Sequence, residues 1–288
     1  MTTPERLGGT AVLADDLSVR RMGYGAMRLA GPGVYGPPPD REAALGVLRA
    51  AVDAGVTHID TSDFYGPAVV NELIHEALHP YPEDLRIVTK VGSRRTPDKG
   101  WPSALAPDDL RRAVEDDLEH LGLDALDVVN LRVGGQQSPR KGSIARPFEA
   151  LLAMQEEGLI KHLGVSNVTL EQVAEARAVG PIVCVQNSYN VAARGDDRLV
   201  DLCADEEIAF VPFFPLGGFS PVQSDVLDEV AADLDATPMQ VALAWLLQRS
   251  PALLLIPGTS NEAHLRENLD AAELELPPEA VERLDAIG

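Results

Sequence analysis

The sequence predicts an α/β fold in which parallel strands, each followed by a helix, close into a barrel. Three observations carry that expectation. Short strand-like runs alternate with longer helical patterns about eight times along the chain. Many of these runs are continuously apolar, as strands are when both of their faces are covered. Polar residues suited to chemistry fall at the carboxyl ends of the runs, the end where barrel enzymes build their sites.

Taken in order, residues 10–27 (TAVLADDLSVRRMGYGAM) supply an N-terminal hairpin and a first strand. Residues 41–54 are helical, and Gly55 is a natural C-cap. A strand over 57–61 precedes a helix over 69–79, which Pro80 stops. After a strand at 86–90, a helix over 107–121 carries Pro107 in its first turn, beside acidic Asp108 and Asp109. Strands at 127–132, 162–166, 182–186 and 209–213 alternate with helices at 147–157, 170–178 and 196–206. Helices at 225–234 and 238–248, a strand at 253–257 and a helix at 261–271 complete the pattern. The alternation favours a TIM (β/α)8 barrel over a doubly wound sheet. No composition break marks a boundary, so residues 1–288 read as one barrel domain. Two long irregular stretches, 92–106 and 133–146, follow strands and would overhang the mouth.

The chain of 288 residues, 45% hydrophobic and 24% charged, has the composition of an ordinary globular protein. A net charge of −21 argues against nonspecific binding to nucleic acid or to anionic membrane. Cys184 lies in an apolar run and reads as a buried thiol; with Cys203 as the other cysteine, there is no disulfide framework. MTTPERLGGT does not have the form of a signal peptide, and no apolar stretch approaches the ~20 residues of a membrane span. A cytoplasmic location is expected.

The chemistry centres on residues 55–66, GVTHIDTSDFYG, which hold a carboxylate, Asp60, and a phenol, Tyr65. The next strand-like run, RIVTK, ends in Lys90. A phenol ordinarily titrates near ~10, and a neighbouring ammonium favours its phenolate. A carboxylate beside the lysine would hold it charged and in place. In barrel order, Asp60 ends the second strand, Lys90 the third and Arg132 the fourth. Ser166 and Asn167 end the fifth, Gln186 the sixth, Phe213 the seventh, and Gly258 with Thr259 the eighth. Each residue alone has a plainer explanation, such as a turn cap or a half-buried aromatic. Their concentration on one face does not.

The spacing Asp-x-x-x-x-Tyr followed by a strand-terminal lysine resembles the aldo-keto reductase family, NAD(P)H-dependent carbonyl reductases on a TIM barrel. GVSNV, VQNSYN, FVPFFPLGG and IPGTSNEAHLREN resemble further segments of that family, so the likeness covers nearly the whole chain. It implies that Tyr65 is the general acid, that Lys90 favours its ionisation and that Asp60 anchors Lys90. It also implies that Ser166, Asn167 and Gln186 hold the nicotinamide carboxamide, with Phe213 stacked on the ring. Leu216 and Gly217 would pass under the pyrophosphate. Thr259, Ser260, His264, Glu267 and Asn268 would grip the adenosine end of NADPH, the expected cofactor. Reductases of the family commonly carry a lysine where this chain has Gly258.

One departure stands out. The family commonly carries a histidine after the fourth strand, where DVVNLRVGG places Arg132. A guanidinium stays charged and offers up to five donors, so it could bind a developing oxyanion directly. As a plainer alternative, Arg132 is a mouth residue in a salt bridge. The NLR variant and YGAMRLAGPGVYGPP resemble a subgroup that includes bacterial pyridoxal reductases, which implies an aromatic aldehyde substrate. The alternative function is a regulatory nucleotide-binding barrel with little turnover. The family also implies a monomer acting on a small-molecule carbonyl substrate.

Other signals are weaker. Residues 75–79 spell HExxH, but the helix ends at Pro80 and no third ligand follows at a suitable spacing. Gly23-Tyr24-Gly25 is a fragment of a dinucleotide fingerprint with no helix behind it. His58 and Trp245 read as core, and Trp101 lies in a mouth loop that could meet substrate. Arg94, Arg95, Lys99, Arg140, Lys141 and Arg146 crowd the two long loops, reversing the sign of an acidic chain. They form either a solvated surface or an attractor for anions at the mouth.

Overall fold

The computed structural model describes residues 7–135, 138–217 and 222–287. An antiparallel hairpin comes first, formed by β1 (Thr10–Ala14) and β2 (Leu17–Arg20). Seven parallel strands then pair in chain order. They are β3 (Tyr24–Gly25), β4 (His58–Asp60), β5 (Arg86–Val91), β6 (Leu126–Arg132), β7 (Ile160–Ser166), β8 (Cys184–Gln186) and β9 (Ala209–Phe210).

Residues 253–255 close the seam. Leu253 bridges Phe210 and Leu255 bridges Met22, both in parallel. Gly23 N donates to Leu255 O at 2.8 Å, and Leu254 N donates to Phe210 O at 2.9 Å. The expected eighth strand therefore occupies its place as isolated bridges rather than a ladder. The result is the (β/α)8 barrel with an N-terminal hairpin.

The helices lie outside: α1 (Arg41–Asp53), α2 (Val69–Leu78), α3 (Pro107–Leu121), α4 (Ala145–Glu156), α5 (Leu170–Val179), α6 (Asp197–Asp205), α7 (Asp225–Asp233), α8 (Pro238–Arg249) and α9 (Glu262–Asp270). Their ends follow local chemistry. The Asp40 side chain accepts from Ala43 N to start α1, and Gly55 takes φ 94° just beyond its end. Thr169 with Gln172, and Thr237 with Gln240, form capping boxes on α5 and α8. A further helix, α10 (Pro278–Asp285), lies beyond the repeating pattern. No strand precedes it, so alternation gives no sign of it. Its Asp285 accepts from the indole of buried Trp245 at 2.9 Å.

The hairpin plugs the amino-terminal end of the barrel. Leu17 and Val19 pack against inward residues Val128, Cys184, Val211, Leu254 and Ile256, and Arg20 N donates to Thr57 Oγ1 at 2.7 Å. His58 is buried against Gly23, where a Cβ would lie 2.2 Å from the imidazole. Burial pushes its pKa down to about 4, so it sits in the core as a neutral ring. The carboxyl-terminal mouth is left for chemistry. Among the described residues, no helix is long and apolar enough to cross a membrane.

Candidate active site

Parallel register brings the strand ends together. Asp60 pairs with Val88, and Lys90 with Asn130 one pleat further along. Lys90 Nζ donates to Asp60 Oδ1 at 2.6 Å and to Thr61 O at 2.9 Å. The other carboxylate oxygen accepts from Gln186 Nε2 at 2.7 Å. Burial alone would lower the Lys90 pKa, but the charge of Asp60 and the Tyr65 hydroxyl more than offset it and hold the ammonium above its ordinary value.

Tyr65 arrives on a turn fixed from two sides. Ser62 Oγ donates to Lys90 O at 2.8 Å, and Tyr65 N donates to Ser62 O at 3.0 Å. On the far side, Asp63 Oδ1 lies 2.7 Å from His120 Nδ1 on α3. Asn71 on α2 donates to buried Asp117 at 2.7 Å, tying the helices beneath the turn. Lys90 Nζ lies 5.1 Å from the centroid of the Tyr65 ring. Phe64 packs edge-on against Tyr65 and against Trp101 from the long loop after β5. Arg95, in the same loop, sets its guanidinium over the Trp101 ring, 3.8 Å from the centroid.

Arg132 ends β6. Its guanidinium donates to Ser166 Oγ and to Gly135 O, each at 3.1 Å, and sits 5.0 Å from the Phe213 ring centroid. Burial lowers its pKa, while Tyr65 and Asp60 pull the other way.

A cavity of about 520 Å³ opens at this mouth. Asp60, Tyr65, Lys90 and Arg132 line it, as do Gln186, Phe213 and Leu216. Thr259, Ser260 and His264 line its outer end. Five other residues singled out from the sequence are not in its wall. Ser166 lies behind Arg132, and Asn167, at φ 57°, donates its amide to Gly135 O and Ser138 O. Gly217 sits in a turn at φ 91°. Glu267 accepts from Thr237 Oγ1 at 2.7 Å, and Asn268 is buried in α9. The wall also contains Met27, Arg28, Phe64, Ser93, Trp101 and Met239, most of which motif spacing does not mark. Phe64 neighbours Tyr65 in sequence, and Met27 and Arg28 lie in YGAMRLAGPGVYGPP.

The Aldo/keto reductase family model matches residues 21–288. The chain belongs to that family. It is an oxidoreductase, as its relatives are. Pyridoxine 4-dehydrogenase of Escherichia coli (strain K12) is 61% identical over 272 residues, 94% of this chain and 95% of that protein. An uncharacterized oxidoreductase of Schizosaccharomyces pombe is 40% identical, over 96% of this chain and 89% of its own length. Among solved structures, a thermostable aldo-keto reductase bound to the inhibitor epalrestat superposes with a TM-score of 0.81 at 32% identity, covering 95% of this chain and 97% of that one. In the HExxH segment the His75 and His79 rings lie tilted against each other with centroids 4.7 Å apart, and among the described residues no group of three or more His, Cys, Asp or Glu is placed to hold a metal ion.

Proposed function

We propose that the protein reduces an aldehyde to its alcohol with a nicotinamide cofactor, NADPH in preference to NADH, and that pyridoxal is among its substrates. The observation that carries this reading is the buried Lys90–Asp60 pair beneath Tyr65 at the wall of one open cavity. The identity with a pyridoxine 4-dehydrogenase supports the choice of substrate.

The residues present fit such a cofactor. The cavity has a size usual for small-molecule sites. Asn167 Oδ1 is buried with no hydrogen-bond partner, an acceptor that a carboxamide N–H would satisfy. Gly25 and Gly258 line the cavity with bare backbone, because a Cβ on either would collide with the other strand's carbonyls. In this reading Gln186 meets the carboxamide and Phe213 covers the ring, with Ser166 and Asn167 just behind the wall at the same strand ends. Leu216 meets the diphosphate beside Gly217, and Thr259, Ser260 and His264 meet the adenosine end, with Glu267 and Asn268 behind them on α9.

The reduced nicotinamide supplies the hydride when bound. Tyr65 gives its phenolic proton to the carbonyl oxygen, so the alcohol forms with both hydrogens accounted for. Lys90 stabilises the phenolate that remains, and Asp60 holds Lys90 in place. Arg132 donates to the same oxygen as negative charge develops on it. Loss of NADPH absorbance against an aldehyde panel that includes pyridoxal tests the proposal. Turnover of pyridoxal supports it; no turnover of any aldehyde rejects it.

A further inference from the structure

Strand alternation turns Asp60 and Lys90 into the barrel mouth and their neighbours Thr61 and Thr89 outward, toward the helices. Both outward hydroxyls are held. Thr89 Oγ1 donates to Asp117 Oδ1 on α3 at 2.7 Å. Thr61 Oγ1 donates to Asn71 Oδ1 on α2 at 2.8 Å, and Asn71 Nδ2 donates in turn to the same Asp117 oxygen at 2.7 Å. Thr61, Asn71, Thr89 and Asp117 are all fully buried. The chain of donors therefore ends on Asp117, which decides which way the Asn71 amide points and so gives Thr61 its acceptor. On its main-chain side, Thr61 N donates to Val88 O at 2.8 Å, and Thr61 O accepts from Lys90 Nζ at 2.9 Å.

A carboxyl at position 117 costs stability. Its Oδ2 has no hydrogen-bond partner among the described residues. Burial, with the charge of Asp63 nearby, holds its pKa well above the usual carboxylate range. A fold that needed only to fill this space would be served by an apolar side chain. What the carboxyl adds is one fixed acceptor that gathers the ends of β4 and β5 from behind. We infer that Asp117 is a positioning residue of the catalytic centre: through Thr89, and through Asn71 and Thr61, it fixes the strand ends that carry Asp60 and Lys90 and so the ammonium beneath Tyr65. Asp117 is not in the cavity wall, so it acts through these neighbours and not on substrate. The inference rests on the reductase reading above. It matters to rate because a shift of about 1 Å in a catalytic group can cost ~100-fold.

The test compares wild type with Asp117→Leu, Asp117→Asn, Thr89→Val and Thr89→Ser. On each preparation, kcat and KM are measured with an aldehyde that wild type reduces, NADPH affinity by quenching of intrinsic fluorescence, and stability by denaturant unfolding. Asp117→Leu is expected to lower kcat by roughly 10- to 100-fold, with KM and NADPH affinity little changed. Asp117→Asn keeps an accepting oxygen at the same reach and should lose much less. Thr89→Val removes a single donor and should lower kcat by a smaller factor, which Thr89→Ser recovers. That second pair decides the matter if Asp117→Leu does not fold. Lower stability with wild-type kcat in both Asp117→Leu and Thr89→Val overturns the inference and leaves the function standing, the network being structural only. Weakening of NADPH binding as large as the loss of kcat also overturns it, since the distortion is then general. A wild-type protein that reduces no aldehyde overturns both.

Discussion

Lys90 Nζ lies 2.6 Å from Asp60 Oδ1, with the two side chains only 2% and 5% exposed. A pair so deeply buried is a weak source of net stability, because both charges are desolvated, yet removing one partner strands the other. Asp60→Ala should therefore lower unfolding free energy by ~3–5 kcal/mol. The double variant Asp60→Asn with Lys90→Met removes both charges and should recover much of that loss. It should not recover turnover, since no ammonium remains beneath Tyr65. Chemical denaturation and steady-state rates on the same samples check both halves. Recovery of activity in the double variant would mean that the charge pair is structural only.

Arg132 should act more on the transition state than on substrate binding. Losing one oxyanion donor typically costs ~10²–10³ in kcat. Arg132→Ala should show a loss of that order, with a smaller change in KM. Arg132→Lys should restore only part of it, because an ammonium keeps the charge but loses the fork that spans Ser166 and Gly135. Arg132→His should broaden use of simple aldehydes and weaken use of pyridoxal. Wild-type kcat for Arg132→Ala on every accepted aldehyde would leave Tyr65 working alone.

His58 should make stability depend on pH on the acid side. Burial moves its pKa from 6.5 to about 4, so between those values the unfolded chain holds a proton that the native chain refuses. Stability from this residue is complete above pH 6.5 and is lost as pH falls toward 4. Between about pH 7 and pH 5 the loss should be ~2 kcal/mol. Asp63 and Asp117, whose pKa values are raised chiefly by burial, contribute with the opposite sign, so a variant comparison is needed. His58→Leu should reduce the pH 5 deficit by about that amount, measured from denaturant midpoints. An identical pH profile in the variant would show that other groups set it.

Much of this was legible in the residues themselves. Continuous apolar runs and their polar carboxyl ends exposed the barrel, and the spacing of Asp60, Tyr65 and Lys90 marked a candidate site whose residues line one cavity. Other features depend on long-range contacts that spacing does not carry. Gly258 and Gly25 are far apart in sequence, and only ring closure brings them into collision distance. Asn167 reads as a ligand for the carboxamide, yet its amide nitrogen also fastens the loop after β6 through Gly135 and Ser138. The apolar run over 209–213 predicts a strand that reaches Phe213. The ladder stops at Phe210, and Phe213 joins Ser188 through a single bridge before Phe214 turns to φ 58°. Helix α10 follows no strand, so alternation could not announce it.

The proposed division of labour has Tyr65 deliver the proton while other strand ends hold the cofactor. Its most direct test is Tyr65→Phe, with NADPH binding and aldehyde reduction measured on one preparation. Tyr65→Phe should bind NADPH with near-normal affinity and lose reduction. Turnover within a few-fold of wild type would contradict it.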